Sequence, residues 1–264
     1  MNGVSIVNPN VCLDTPSTGV IITGGASGIG LASAECLAAV GRPVAIWDID
    51  GGRAQEAATS IASRYNVPTT AIEIDLRRAD GIIEGVEQTR NSLPNIGGLV
   101  HAAGIVDTAS LDGLTLQSWD EGMAIHLRSL AFLVQAILPD LKAQPDSAVV
   151  AIASINATLG NHMNPVYTAA KGGMVSLVRS LADRLARDGI RINSLSPGLI
   201  MTPMTKPAVD RLPANSFEKR ILLERLGQPH EIGRVVRFLL SAEASYITAA
   251  QLVVDGGNIS SQRI

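Results

Sequence analysis

Aromatic residues make up only 3% of this 264-residue chain, too few for a base-stacking platform. Charge is sparse too. Charged residues are 17% of the total, with 21 Lys and Arg against 24 Asp and Glu, so no large basic surface for nucleic-acid phosphates is expected. The two cysteines, Cys12 and Cys36, can build neither a disulfide framework nor a four-ligand zinc site. They are read as free buried thiols, and no metal is expected. No Lys or Arg precedes Arg42, and Asn8-Pro9 and Asp14 interrupt the early apolar residues. The N-terminus is therefore expected to be neither a signal peptide nor a presequence. No uninterrupted apolar run reaches the roughly 20 residues of a membrane helix. These absences point to a soluble, cytoplasmic protein with neither nucleic acid nor membrane as partner.

What the chain has is apolar material, at 46% of its residues. Runs at 19–23, 43–47, 69–75, 98–102, 148–153, 191–195 and 252–254 are nearly continuous in Val, Ile, Ala and Leu. Continuity, in place of apolar/polar alternation, marks strands covered on both faces of a parallel sheet. Helical patterns lie between them at 28–40, 51–64, 78–91, 115–142, 165–188 and 229–241. Strand and helix alternating in this way predict a single-domain α/β fold. It is a doubly wound, Rossmann-type parallel sheet of about seven strands with helices on both faces. Residues 1–17 read as an N-terminal extension to a domain of 18–264. Residues 199–226, which carry Pro203, Pro207 and Pro213, read as a lid behind the sixth strand.

Thr23-Gly24-Gly25-Ala26-Ser27-Gly28-Ile29-Gly30 follows the first strand and opens a helix. Glycines there let the backbone turn tightly against a pyrophosphate at the positive end of the helix. The spacing is G-x3-G-x-G, and a glycine-rich turn by itself also fits an ordinary strand-to-helix turn. The second strand ends at Asp48, 24 residues past Gly24. A carboxylate at about that interval meets the ribose hydroxyls of NAD and repels a 2′-phosphate. The alternative for Asp48 is a turn or cap residue, with Asp50 the better cap. Neither Ser27 nor Ile49 offers the cation that NADP would want.

Tyr167 and Lys171 stand four residues apart and share a helix face. A lysine beside a phenol is expected to lower its pKa and let it exchange a proton near neutral pH. Ser154 closes the fifth strand, 13 residues before Tyr167. Its hydroxyl could hold a carbonyl or alcohol oxygen beside the phenol.

With these pieces the chain resembles the short-chain dehydrogenase/reductase family, of its compact type, from about Gly19 to Gly257. The resemblance rests on the glycine turn, Asp75-Leu76, Ala102-Ala103-Gly104, Ser154, Tyr167 and Lys171, Ile190-Arg191-Ile192-Asn193, Pro197-Gly198, Thr202 and Val254-Asp255-Gly256-Gly257. It implies that Gly24, Gly28 and Gly30, with Ser27 and Ile29 of the same turn, carry the cofactor phosphates. Asp48 would hold the adenosine ribose, Asp75 with Leu76 would meet adenine, and Ala103 and Gly104 would line the groove. Pro197, Gly198, Ile200 and Thr202 would clasp the nicotinamide. Tyr167 would be the general acid/base, Lys171 would bind the nicotinamide ribose, and Ser154 would orient the reacting oxygen. A homotetramer is implied as well.

The pattern departs from the family at three places. Asn is usual where His101 stands. The family's catalytic Asn falls on His126, which would anchor a water in the proton relay, with a pKa below the usual imidazole value. Ala250 stands where a glycine usually follows Tyr246-Ile247-Thr248. His162, in the loop before Tyr167, reads equally as a substrate contact or a solvated residue. Trp47 and Trp119 read as packing residues. Met201, Met204 and Phe217 could wall the substrate or pack the lid. The favoured reading is an NAD(H)-dependent enzyme that interconverts a secondary alcohol and a ketone. The alternatives are an NADPH-dependent 3-oxoacyl-(acyl carrier protein) reductase, kept open by Lys206, Arg211, Lys219 and Arg220, and a non-catalytic dinucleotide-binding homologue.

Overall fold

The computed structural model describes residues 16–213 and 215–260. Cys12 and nearly all of the expected N-terminal extension lie outside these residues. Among the described residues, seven strands form one parallel sheet: β1 (Gly19–Thr23), β2 (Val44–Asp48), β3 (Thr69–Glu73), β4 (Ile96–His101), β5 (Ala148–Ile152), β6 (Arg191–Pro197) and β7 (Gln251–Val254), in the order β3-β2-β1-β4-β5-β6-β7. The order reverses between β1 and β4, and crevices at such a switch point, at the carboxyl ends of the strands, are where these folds bind ligands.

Alternate residues of each strand serve opposite layers. Val20 and Ile22 of β1 pack with α1 (Gly28–Ala38), α2 (Gly51–Tyr65) and α8 (Pro229–Leu239). Ile21 faces the layer of α3 (Asp80–Ser92), α5 (Ser129–Ala143) and α6 (Pro165–Ala186). The fold is thus the doubly wound sheet that the apolar runs predicted.

The third strand ends at Glu73, so Asp75 stands in the turn beyond it. The helical pattern at 115–142 is one continuous apolar track, but the backbone divides it. It runs as α4 (Leu116–Met123), a π-helical turn at Ala124–Arg128, and α5. Leu130, Leu133, Val134, Ile137 and Leu141 seat α5 against the sheet. Helix α7 (Lys206–Arg211) lies within the expected lid. The two ends of this segment are tied where Met201 N–H donates to Gly227 O and Gly227 N–H to Leu199 O, both at 2.9 Å.

Polar motif residues hold the far edge. Arg191 donates to the carbonyls of Leu239 (2.8 Å) and Ser241 (3.0 Å). Asn193 accepts the Ala250 N–H at 3.0 Å and donates to Ile247 O at 2.8 Å. Ala249, not Ala250, takes the left-handed backbone there, with φ 59°. The missing glycine is therefore felt at Ala249.

Candidate active site

A cleft of about 390 Å³ runs along the carboxyl ends of the strands. Gly24 (φ 63°) and Gly28 (φ 52°) turn left-handed at its floor, a conformation glycine adopts without a side-chain clash. A Cβ on Gly24 would stand 2.8 Å from the Ala103 Cα, and one on Gly30 would stand 2.1 Å from Gly24 O. Ser27 is the N-cap of α1 yet makes no side-chain capping bond. The turn therefore presents backbone and a helix N-terminus to the cleft, a cradle suited to phosphate oxygens.

Every residue expected to hold a cofactor lines this cleft: Gly24, Ser27, Gly28, Ile29, Gly30, Asp48, Asp75, Leu76, Ala103, Gly104, Pro197, Gly198, Ile200 and Thr202. Asp48 Oδ2 accepts the Ala26 N–H at 3.1 Å, and its Oδ1 accepts the Asp50 N–H at 3.2 Å. This carboxylate links the glycine turn to the end of β2. Asp50 caps α2 by accepting the Arg53 N–H at 3.0 Å.

Ser154, Tyr167, Lys171 and His126 share the cleft as well. Ser154 caps a short 3-10 turn after β5, accepting the Asn156 N–H at 3.1 Å. Its side chain lies near enough to the Tyr167 phenol to lower the phenol's pKa. Lys171, one turn on, donates from Nζ to Ile152 O at 2.5 Å, and that nitrogen is 5.5 Å from the Tyr167 ring centre. Burial brings Lys171 down to about 7. The sequence led us to expect a depressed phenol pKa; the chain's own groups raise it. Desolvation of the buried ring outweighs the lowering by Ser154.

His126 occupies the π turn, fully buried. Its Nε2 is 2.7 Å from Ile105 O and 3.2 Å from Ile105 N. The shorter contact makes Nε2–H a donor to the carbonyl, so the imidazole ties helix to strand end instead of holding a water through that nitrogen. Its Nδ1 is buried without a partner among the described residues, and the ring meets Tyr167 edge-on at 5.3 Å. A Cβ on Gly104 would come within 2.4 Å of the His126 Cε1. Burial, then the Lys171 charge, push His126 well below the ordinary imidazole value.

His101 completes this arrangement. Thr23 Oγ1 accepts N–H bonds from Ala102 and Ala103, both at 3.2 Å, so its hydroxyl proton turns to His101 Nδ1 at 2.9 Å. His101 Nε2–H then donates to the His126 carbonyl at 3.2 Å. The π turn is thereby pinned to β1 and β4. Burial lowers His101 to about 3.

Other expectations divide. Met204 lines the cleft, while Met201, Phe217 and His162 do not. The His162 side chain is exposed, and its carbonyl accepts the Ser110 hydroxyl at 2.9 Å. Trp47 is buried, with Nε1 donating to Thr89 Oγ1 at 3.0 Å, and Trp119 is 40% exposed. Sequence reading missed Asp107, Arg77 and Glu121. Asp107 binds backbone N–H groups some 60 residues away, and no local pattern announces such a contact.

A family model described as enoyl-(acyl carrier protein) reductase matches residues 24–258. The chain is 31% identical over 250 residues to a probable galactose dehydrogenase of Rhizobium meliloti, covering 92% of this chain and 96% of that protein. It is 33% identical to a 3-oxoacyl-(acyl carrier protein) reductase of Aquifex aeolicus, over 90% of this chain and 95% of the other. Its structure is similar to that of L-sorbose reductase from Gluconobacter frateurii, solved with NADPH and L-sorbose. The TM-score is 0.89 at 26% identity, covering 95% of this chain and 99% of that one. The match over nearly its whole length, on this fold, shows that the chain belongs to the short-chain dehydrogenase/reductase family of oxidoreductases.

Proposed function

We propose that the protein interconverts a secondary alcohol and a ketone with NAD(H), using Tyr167 as general acid/base. The observation that carries this reading is the convergence of Ser154, Tyr167 and Lys171 on the cleft that holds the glycine cradle. A bound nicotinamide supplies or takes the hydride. Ser154 Oγ and Tyr167 Oη grip one substrate oxygen. In reduction the phenol gives that oxygen its proton; in oxidation the phenolate takes the proton back. Burial keeps Tyr167 protonated near neutral pH, which suits it as the donor in reduction. Lys171, on the same face of α6, would bind the nicotinamide ribose and add positive charge beneath the phenol.

Support for NAD(H) comes from Asp48. Among the described residues its carboxylate, at the end of β2, has no neighbouring free cation, since Arg53 pairs with Asp50 at 3.3 Å and Arg77 with Asp75 at 2.7 Å. Support for a polyol, sugar or other CH–OH substrate comes from the similarity to the probable galactose dehydrogenase and to L-sorbose reductase. Ile105 and Met204 give the cleft an apolar wall for the carbon skeleton. Exposed Phe132 on α5 and Val253 on the edge strand β7 support a homotetramer. A cytoplasmic location is part of the same reading. The test is kcat/KM with NADH and NADPH over a panel of ketones, sugars and 3-oxoacyl thioesters. A preference for NADPH with the thioester would favour the carrier-protein reductase reading, which the Aquifex relative keeps open.

A further inference from the structure

Asp75 was expected to meet the adenine directly, but its carboxylate is already engaged. Arg77 Nε lies 2.9 Å from both oxygens, Arg77 Nη2 lies 2.7 Å from Oδ2, and the Arg77 backbone N–H donates to Oδ1 at 2.9 Å. On the other side, Arg77 Nη1 is 3.8 Å from Glu121 Oε1 on α4. Glu121 is held in turn by Gln117 Nε2 at 3.1 Å. The Arg77 carbonyl accepts a hydrogen bond from Arg128, the last residue of the π turn. Asp75, Leu76, Arg77, Glu121 and Ile125 all line the cleft, and the Arg77 side chain is 43% exposed.

A guanidinium whose edges face carboxylates still has its planar faces to offer, and flat aromatic rings stack on those faces. We propose, on the reading that this cleft binds a dinucleotide, that Arg77 forms the adenine wall, with the purine ring stacked on its guanidinium. Asp75 and Glu121 act as positioning residues that hold the guanidinium in place. The same turn is bonded to the π turn through Arg128, so the adenine end and the His126 end of the cleft share one support.

Stacking and edge recognition make different demands. A carboxylate that reads the adenine 6-amino group loses its donor when that amino group is replaced by oxygen, whereas a stacked guanidinium keeps its contact. The experiment is calorimetric titration of the full chain with NADH and with reduced nicotinamide hypoxanthine dinucleotide. The proteins are wild type, Arg77→Ala, Arg77→Lys and a control, Arg78→Ala, which removes an exposed residue paired with Asp80. Wild type should bind both dinucleotides within about threefold of each other, and Arg77→Ala should weaken both by about tenfold, the range of a partly desolvated cation–π contact. Arg77→Lys keeps the charge without the plane and should recover only part of the loss. Arg78→Ala should bind as wild type does. Equal NADH affinity in wild type and Arg77→Ala overturns the inference. So does a tenfold or greater rejection of the hypoxanthine dinucleotide by wild type that persists in Arg77→Ala. Absence of NADH binding in wild type would overturn the dinucleotide reading itself, and is told apart because it needs no variant.

Discussion

The Asp107 carboxylate accepts the backbone N–H of Tyr167 at 2.9 Å, and its other oxygen accepts the Val166 N–H at 3.2 Å. An acid from the loop after β4 thereby caps the helix that carries the proposed proton donor. Asn164, at the N-cap position, makes no side-chain capping bond of its own and instead donates to Asp107 O. Two residues distant in sequence thus fix where the phenol stands.

Removing this cap should cost both stability and rate. Asp107→Ala should destabilise the fold by about 1–2 kcal/mol, the usual cost of an N-cap deletion. It should lower kcat more than it changes the Kd for NADH, because the displaced group is the phenol. Asp107→Asn keeps an acceptor and should lose less of both. Urea unfolding and steady-state kinetics on the two variants check this. An Asp107→Ala enzyme with unchanged kcat would show that α6 finds its place without the cap.

Asp48 should set cofactor choice. A like charge facing a 2′-phosphate with no compensating free cation should cost about two decades in kcat/KM, equivalent to a few kcal/mol. Asp48→Ser should narrow the gap between NADH and NADPH, and comparing kcat/KM for the two cofactors reads it. Equal or better use of NADPH by wild type would remove Asp48 from the ribose site.

The buried histidines should make the fold acid-sensitive. Both stay neutral in the native state, His101 down to about pH 3 and His126 well below the ordinary imidazole value. In the unfolded chain each binds a proton at about pH 6.5. The unfolded state therefore holds more protons below that pH, and stability falls as pH drops from about 6.5 towards the native values. Each histidine contributes a slope of up to about 1.4 kcal/mol per pH unit. His126→Asn should flatten part of that slope and keep substantial activity, since its main bond is the tie to Ile105 O. His126→Ala should do worse. Urea unfolding at stepped pH reads the slope. A slope unchanged in His126→Asn would mean that the imidazole titrates normally.

The parts of the molecule legible in the sequence were those whose signal is local. The continuous apolar strands gave the layered sheet, and the glycine turn, Asp48, Ser154, Tyr167 and Lys171 all fall in one cleft. What escaped depends on partners far along the chain. The apolar period runs unbroken through 115–142, and nothing in it announces the π turn that His101 pins through the His126 carbonyl. Asp75 was legible as a cleft residue, but Arg77, two positions on, folds back over it through side-chain geometry that spacing does not encode. The raised Tyr167 pKa escaped because burial, a property of the assembled fold, outweighs the lowering by Ser154.

The most direct test of the account is one comparison, NADH oxidation by wild type and by Tyr167→Phe against the ketone and sugar panel, with NADH affinity measured on both proteins. Tyr167→Phe deletes only the exchangeable proton. The account predicts turnover by wild type, a loss of at least about two decades in Tyr167→Phe, as expected when a general acid is removed, and nearly equal NADH affinity in both. Wild-type kcat in Tyr167→Phe would show that the proton comes from elsewhere and would contradict the account.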